Sequence, residues 1–165
     1  MKRIILFLAG MMTAGLILNG CNKKNIEVME EEFSVYSFYG ENELFNISNG
    51  VIVLSSEEEI FDGGILRVNE DKKVEISSYS ITFYIMSGNA KSVLMSNAVH
   101  DMTGGSVSME GEIGKMSGED FIARRKNVEL KDNLYCELKI TSLDGIQNEY
   151  QIPLMLEKVT ESGSN

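Results

Sequence analysis

The sequence contains one histidine, two cysteines, one proline and no tryptophan among its 165 residues. A single histidine and two thiols are too few for a zinc site unless carboxylates supply most of the ligands. Neither a G-x-S-x-G motif nor an S-x-x-K motif is present, so the sequence lacks two familiar signatures of serine-nucleophile hydrolases. These absences exclude the catalytic classes that are easiest to recognise from sequence.

Positive charge is also scarce. Lysine and arginine number 15 against 25 acidic residues, which gives a formal net charge of −10. Removal of residues 1–20 would delete Lys2 and Arg3 and no acid, so that −10 becomes −12 for the remaining chain. Because such a charge repels phosphate backbones and anionic lipid surfaces, we expect no nucleic-acid partner and no electrostatic membrane contact.

One long apolar run is present, and it lies at the N-terminus. Lys2 and Arg3 precede an apolar stretch from Ile4 to Leu18. A membrane-spanning helix needs about 20 apolar residues, and this stretch is shorter. A positive start, a short apolar segment and small residues at its end are typical of a bacterial secretory signal peptide.

The signal ends in Leu18-Asn19-Gly20-Cys21, which resembles a lipobox. The resemblance implies cleavage between Gly20 and Cys21 and acylation of Cys21, so that Cys21 becomes the first mature residue. Two or three acyl chains anchor a protein stably, whereas one does not. We therefore expect the protein at the cell membrane, lipid-anchored through Cys21 and facing outside the cytoplasm.

The rest of the chain divides into three parts. Residues 21–32 contain the lipidated cysteine and a polar, charged segment without periodicity, which predicts a flexible tether. Residues 33–159 hold short β-rich runs separated by turn residues, which predicts one all-β domain. Residues 160–165 predict a disordered tail. With Cys21 acylated, Cys136 has no disulfide partner in the chain. We also expect no cofactor.

Two hairpins are expected within the domain. Asn49-Gly50 lies between two alternating runs and favours a two-residue type I′ turn that would pair Ile47 with Ile52. Further along, a three-residue loop at 143–145 with Gly145 in the left-handed conformation would pair Cys136 with Ile152. Pro153 lacks an N–H, so its strand should lie at a sheet edge.

Other segments also predict strands. VEISSYSITFYIM should place Tyr79, Ile81, Phe83 and Ile85 on one face, and FSVYSFYG, GGILRVN and KSVLMSNAV are shorter candidates. Turn signals at these intervals favour an antiparallel β-sandwich of about seven strands. FYGENELFNISNGVIV resembles the first hairpin of small Ig-like lipoproteins of Gram-positive bacteria, with Phe45 where tryptophan is more usual. The resemblance implies an Ig-like sandwich and supplies no active-site residue.

Possible catalytic groups are few. Cys136 and His100 would be the only Cys-His pair, but alternation places Cys136 on an apolar face, where cysteine usually serves as a small hydrophobe. His100 and Asp101 are adjacent, so on an extended chain their side chains point to opposite sides and do not form part of a triad. We expect no catalytic residue among them.

Acidic and aromatic residues offer weaker possibilities. Calcium suits the loop acids Asp62, Asp101, Glu110, Glu112, Glu119 and Asp120, although no D-x-D-x-D-G loop is present. The glutamates at 57–59 are expected to be solvated edge residues.

Four aromatics could form a platform for glycan or could fill the core: Tyr36, Phe38, Tyr39 and Tyr84. Arg124-Arg125-Lys126 is the single basic cluster, which could balance nearby acids or mark a contact surface.

The glycine-rich segment 102–119 is the candidate partner-binding loop, and a short helical turn is expected at 119–125. Glycines permit unusual backbone shapes and methionines offer adaptable apolar contacts. Its candidate residues are Met102, Gly104, Gly105, Met109, Gly111, Gly114, Met116 and Gly118. The alternative is that the segment returns to the sheet with its methionines in the core.

These features together predict a non-catalytic binding module. We expect it to bind an envelope protein or a wall polymer while the acyl chains on Cys21 hold it at the membrane. The alternative is a cell-envelope hydrolase or calcium-dependent enzyme whose site carries no diagnostic spacing.

Overall fold

The computed structural model describes residues 33–69, 75–122 and 130–162. These ranges contain eleven strands and no helix, so the all-β class is confirmed and the expected number of about seven strands is too low. The strands are β1 (Phe33–Glu41), β2 (Phe45–Leu54), β3 (Glu59–Asp62), β4 (Ile65–Val68), β5 (Ile76–Ser87), β6 (Ala90–His100), β7 (Gly111–Glu112), β8 (Lys115–Gly118), β9 (Leu134–Ser142), β10 (Gln147–Pro153) and β11 (Met155–Ser162).

The strands form a sandwich of two antiparallel sheets. The larger sheet has the order β11-β1-β2-β3-β8, and within it β4 pairs with β2 and β7. The smaller sheet has the order β10-β9-β5-β6. The predicted β-sandwich is therefore correct, and the chain passes from the smaller sheet to the larger one between β10 and β11.

Three phenylalanines join the sheets at the centre of the core. Phe38 and Phe61 come from the larger sheet and Phe83 from the smaller one, and each is at most 1% exposed. Their ring centroids lie 5.1 to 5.9 Å apart. Edge-to-face and offset ring contacts of this kind add to the stabilisation from apolar burial. Cys136 lies in the same core and is fully buried, as its alternation predicted.

The predicted turn at Asn49-Gly50 is wrong, because β2 runs through it. Asn49 has a φ of 59° and forms a bulge at which the pairing of β1 with β2 shifts by one residue. The extra residue keeps Ile47 and Ile52 on the same buried face. A Cβ on Gly50 would lie 2.2 Å from the Phe38 ring, so glycine is needed here for close packing of that ring against the backbone.

The bulge in β2 belongs to a line of irregularities across the larger sheet, which we call the crease. It continues through Gly63–Gly64 between β3 and β4 and through Ile113–Gly114 between β7 and β8. Gly63 N donates to Gly114 O, and Ile113 N donates to Gly64 O, each at 2.9 Å. The crease therefore divides the segment 59–68 into β3 and β4, and the segment 111–118 into β7 and β8. This division accounts for much of the difference between the eleven strands observed and the seven or so expected.

The β9–β10 hairpin has the predicted register. Leu138 pairs with Tyr150 and Cys136 with Ile152, and Gly145 has a φ of +83°. Pro153 ends β10, which is an edge strand, as its missing N–H predicted. From Ile76 onward, the segment VEISSYSITFYIM forms β5 as predicted.

Three expectations, about residues 57–59, 119–125 and 160–165, need correction. Glu59 is 1% exposed, and its carboxylate accepts a hydrogen bond from Ile122 N, so it is a buried residue and not a solvated edge residue. In the helical turn expected at 119–125, residues 119–122 form a bend followed by a turn, and residues 123–125 lie outside the described residues. β11 extends to Ser162, which includes residues 160–162 of the predicted tail.

Several predictions lie outside the described residues. These are the signal peptide with Gly20 and Cys21, the tether up to residue 32, the basic cluster at 124–126 and the last three residues of the chain. In the part of the chain that the structure describes, no helix is long and apolar enough to cross a membrane.

Candidate binding surface on the smaller sheet

The outward face of the smaller sheet carries short polar side chains at its centre. Successive residues of a strand point to opposite faces. In β5, Ile81 and Phe83 are buried in the core, and the alternate residues Ser78, Ser80 and Thr82 therefore face outward. Ser80 pairs with Ala98 of β6 on one side and with Lys139 of β9 on the other, so that the short side chains of β5 and Ala98 lie beside a long one.

A groove of about 610 Å³ lies over these short side chains, and we call it the outer groove. The short side chains of β5 and Ala98 of β6 are flanked by longer side chains on β6, β9 and β10, which creates the depression. The side chains that define it are Ser78, Ser80, Ala98, His100, Lys139 and Glu149. The groove is partly open to solvent and offers hydroxyl, imidazole, ammonium and carboxylate groups to an occupant.

Ion pairs hold one wall of the outer groove. Lys139 Nζ lies 3.3 Å from Glu149 Oε2 and 3.3 Å from Glu137 Oε1. The hydrogen bond with Glu149, followed by the one with Glu137, raises the pKa of Lys139 above its ordinary value. Because the Lys139 and Glu149 side chains are 54% and 58% exposed, an occupant can reach both without unfolding the sheet.

An aromatic cluster lies further along β5 and β9, beyond one side of the outer groove. The rings of Tyr84 and Tyr135 stack with centroids 5.7 Å apart, and Lys91 Nζ lies 4.0 Å from the Tyr84 centroid. Gln151 Nε2 donates to the Tyr84 hydroxyl at 2.7 Å, and Lys91 pairs with Glu137 at 2.5 Å. Burial raises the Tyr84 pKa above its ordinary value. These contacts cover the Tyr84 ring, so it presents no open stacking face.

The aromatic platform considered from sequence is therefore wrong. Phe38 and Tyr84 are buried, at 1% and 3% exposure, and they belong to different sheets. Tyr36 packs against the core and Tyr39 is exposed on β1 of the larger sheet. The four rings do not share a face.

Exposed apolar residues lie on the loops that follow β6 and β9, beyond the other side of the outer groove, and we call this the apolar tip. It consists of Met102, Leu143 and Ile146, which are 91%, 47% and 57% exposed. Ser77 holds their two loops side by side. The carbonyl of Ser77 accepts from Asp101 N at 2.9 Å, and its hydroxyl donates to the carbonyls of the residues that precede Leu143, at 3.1 and 3.2 Å.

The apolar tip lies away from the start of the domain. Phe33 begins β1 and pairs with Ser162 at one end of the larger sheet, whereas Val68 ends β4 at the other end, next to Phe45. The loop after β6 meets this second end, since Val107 N donates to Ile76 O and residues 106–110 share a cleft with Val68. The chain therefore enters the domain at the end remote from the apolar tip.

The predicted partner-binding loop is divided between the apolar tip and the larger sheet. Met102, Gly104 and Gly105 lie in an exposed loop. Met109 is buried, at 5% exposure, as the alternative reading of the segment expected. Three other candidates lie in the short strands β7 and β8: Gly111, Met116 and Gly118. Gly114 lies in the two-residue connection between these strands.

The candidate catalytic groups do not come together. Burial raises the pKa of Cys136 to about 12, so its thiol stays neutral. His100 ends β6 opposite Ser78, but the carboxylate of Asp101 accepts from the amide and hydroxyl of Thr103 and from Gly105 N. Within the described ranges, no group of three or more histidines, cysteines or acids could hold a metal ion.

Sequence reasoning missed the outer groove. Alternating serines along β5 could have indicated a small, polar outward face, because the period-2 pattern is local. The neighbours that form its walls come from β6, β9 and β10, and their register depends on pairing across the sheet.

Comparisons with known proteins found no similarity: no protein-family model matches the chain, and no curated protein or solved structure gives a significant match.

Proposed function

We propose that this protein is a lipid-anchored, extracytoplasmic binding module that is held at the cell membrane through acyl chains on Cys21. Its partner is an envelope protein or a wall polymer, which it binds without catalysis at the outer groove and apolar tip. The lipobox-like end of the apolar run supports the anchor. The Ig-like resemblance of residues 38–53 is in keeping with a small sandwich that serves as a binding scaffold.

The observation that carries the binding proposal is the surface itself. An open groove of about 610 Å³ with exposed polar walls lies beside loops that carry three exposed apolar side chains. Exposed apolar groups beside polar ones are the usual composition of a protein-binding surface. The surface also lies away from the end at which the tether would enter, so a partner could reach it while the anchor remains in the membrane.

A pair of matched substitutions tests the proposal in whole cells. Ser80→Arg fills the outer groove, whereas Ser117→Arg places the same side chain on exposed β8 of the larger sheet. We expect Ser80→Arg to lower the yield of the chemically crosslinked partner by about tenfold or more, a typical effect at a central interface position. Ser117→Arg should leave that yield unchanged, and both variants should melt like the wild type. Equal yields from all three proteins would overturn the binding surface.

The anchor has a separate test. Intact mass of the membrane-extracted protein should show loss of residues 1–20 and added acyl chains, and Cys21→Ala should remain uncleaved. A mature N-terminus elsewhere would overturn the anchor and leave the binding surface unaffected.

A further inference from the structure

Carboxylates surround the apolar tip. Asp101 precedes Met102, Asp144 follows Leu143, and Glu149 follows the turn on β10. Hydrogen bonds from Thr103 hold the pKa of Asp101 below its ordinary value, and those from Ser142 and then Ile146 do the same for Asp144. Both carboxylates therefore stay ionised at neutral pH and well into the acidic range.

Among the residues that the structure describes, Lys139 is the lysine that lines the outer groove. It already pairs with Glu137 and Glu149. The whole chain carries −10. The field at the apolar tip therefore attracts positive charge and repels a second copy of this acidic chain or an anionic polymer.

We propose that the outer groove and apolar tip bind an extended segment of a partner protein, and that this segment combines aliphatic side chains with lysine or arginine. This inference rests on the proposed function. The aliphatic side chains contact Met102, Leu143 and Ile146, and the basic ones pair with Asp101, Asp144 and Glu149. The outer groove crosses the four strands of the smaller sheet, because three consecutive residues of each strand line it: 78–80, 98–100, 139–141 and 147–149. Neighbouring strands lie about 4.8 Å apart, so an extended segment of about four residues spans the groove from β6 to β10.

Short synthetic peptides provide the test. The first alternates leucine with lysine, the second replaces lysine with glutamate, and the third replaces leucine with serine. The full-length lipoprotein is placed in phosphatidylcholine nanodiscs, with empty nanodiscs as the blank, and the affinity for each fluorescent peptide is measured by anisotropy. We expect the leucine–lysine peptide to bind about tenfold more tightly than either of the others. Its affinity should also fall as salt is raised, because salt screens charge pairs.

Substitutions locate the peptide on the surface. Ile146→Ser should weaken binding of the leucine–lysine peptide by about tenfold. Met116→Ser removes an exposed apolar side chain from β8 of the larger sheet and should have no effect. Equal affinity for the lysine and glutamate peptides, or an equal loss with Met116→Ser, would overturn the inference.

The inference and the proposed function can fail separately. If the peptides bind equally while Ser80→Arg still removes the cellular crosslink, the assigned partner chemistry is wrong and the binding surface stands. If Ser80→Arg leaves the crosslink unchanged, the proposed function fails and the inference with it. Crosslinks between two copies of this chain, or to a polymer, would overturn the assignment of a basic protein segment.

Discussion

Replacing Gly64 with alanine tests whether the crease of the larger sheet depends on glycine. Gly64 has a φ of +73°, which L-residues adopt at a cost. An added Cβ would also lie 2.2 Å from Ser48 O, 2.6 Å from Gly50 N and 2.8 Å from the carbonyl carbon of Asn49. All three are backbone atoms, so no side-chain rotation can relieve the contact.

The expected cost follows from these two effects. Left-handed backbone costs a non-glycine residue about 1 kcal/mol, and overpacking against a fixed neighbour costs about 2 kcal/mol more. Gly64→Ala should therefore lower the free energy of unfolding by about 3 kcal/mol. Gly104→Ala is the matched control, because Gly104 has a φ of +82° and no atom within 4 Å of the added Cβ. It should cost only about 1 kcal/mol.

Urea unfolding of the full chain, followed by tyrosine fluorescence and far-ultraviolet circular dichroism, measures both costs. With a slope of about 2 kcal/mol per molar urea, the midpoint should fall by about 1.5 M for Gly64→Ala and about 0.5 M for Gly104→Ala. Equal shifts for the two variants would show that the close backbone contacts at Gly64 are not a constraint on the fold.

Three further predictions concern the core, the smaller sheet and the edge of the larger sheet. Cys136 should resist thiol reagents at pH 8 until the protein is unfolded, since burial raises the pKa of its thiol to about 12. Rapid labelling of the folded protein would contradict this burial. Cys136→Ala should lower the free energy of unfolding by about 1 kcal/mol. The hydrogen bond with Lys91 lowers the pKa of Glu137 below its ordinary value of 4.5. The ionised Glu137 carboxylate therefore stabilises the fold above pH 4.5, and this stabilisation is lost as the pH falls through the pKa of Glu137 in the folded protein. Melting temperatures measured between about pH 6 and pH 3 should accordingly decline less steeply for Glu137→Gln than for the wild type. Deletion of residues 111–117 should collapse the melting transition, because it removes β7 and most of β8; an unchanged melt would show that these strands are dispensable.

Local patterns determined the parts of the fold that could be predicted. In the β9–β10 hairpin, the left-handed position of Gly145 and the alternation around Cys136 require the same register, so the prediction was correct. Asn49-Gly50 gave an equally strong local signal but served two other purposes: Asn49 forms a bulge and Gly50 accommodates the Phe38 ring. The sequence does not distinguish a two-residue hairpin turn from a bulge beside a closely packed ring. Both structures favour glycine or a residue that adopts positive φ, such as asparagine.

The candidate site depended on distant contacts and was only partly predictable. Met102 belonged to the predicted loop, and it lies at the apolar tip. Its position beside Leu143 and Ile146 depends on hydrogen bonds through Ser77, which connect segments more than twenty residues apart in the chain. The outer groove needs the register of four strands, and loop-closure entropy and side-chain packing determine that register together.

Site-specific crosslinking in living cells tests the account most directly. A photoreactive phenylalanine analogue is placed at Ile146 of the apolar tip or at Met116 of β8, two positions with similar exposure of 57% and 43%. The account predicts a crosslinked partner from Ile146, a yield about tenfold lower from Met116, and loss of the Ile146 product when Ser80→Arg is added. Equal yields from the two positions, or a product from Met116 alone, would contradict binding at the outer groove and apolar tip.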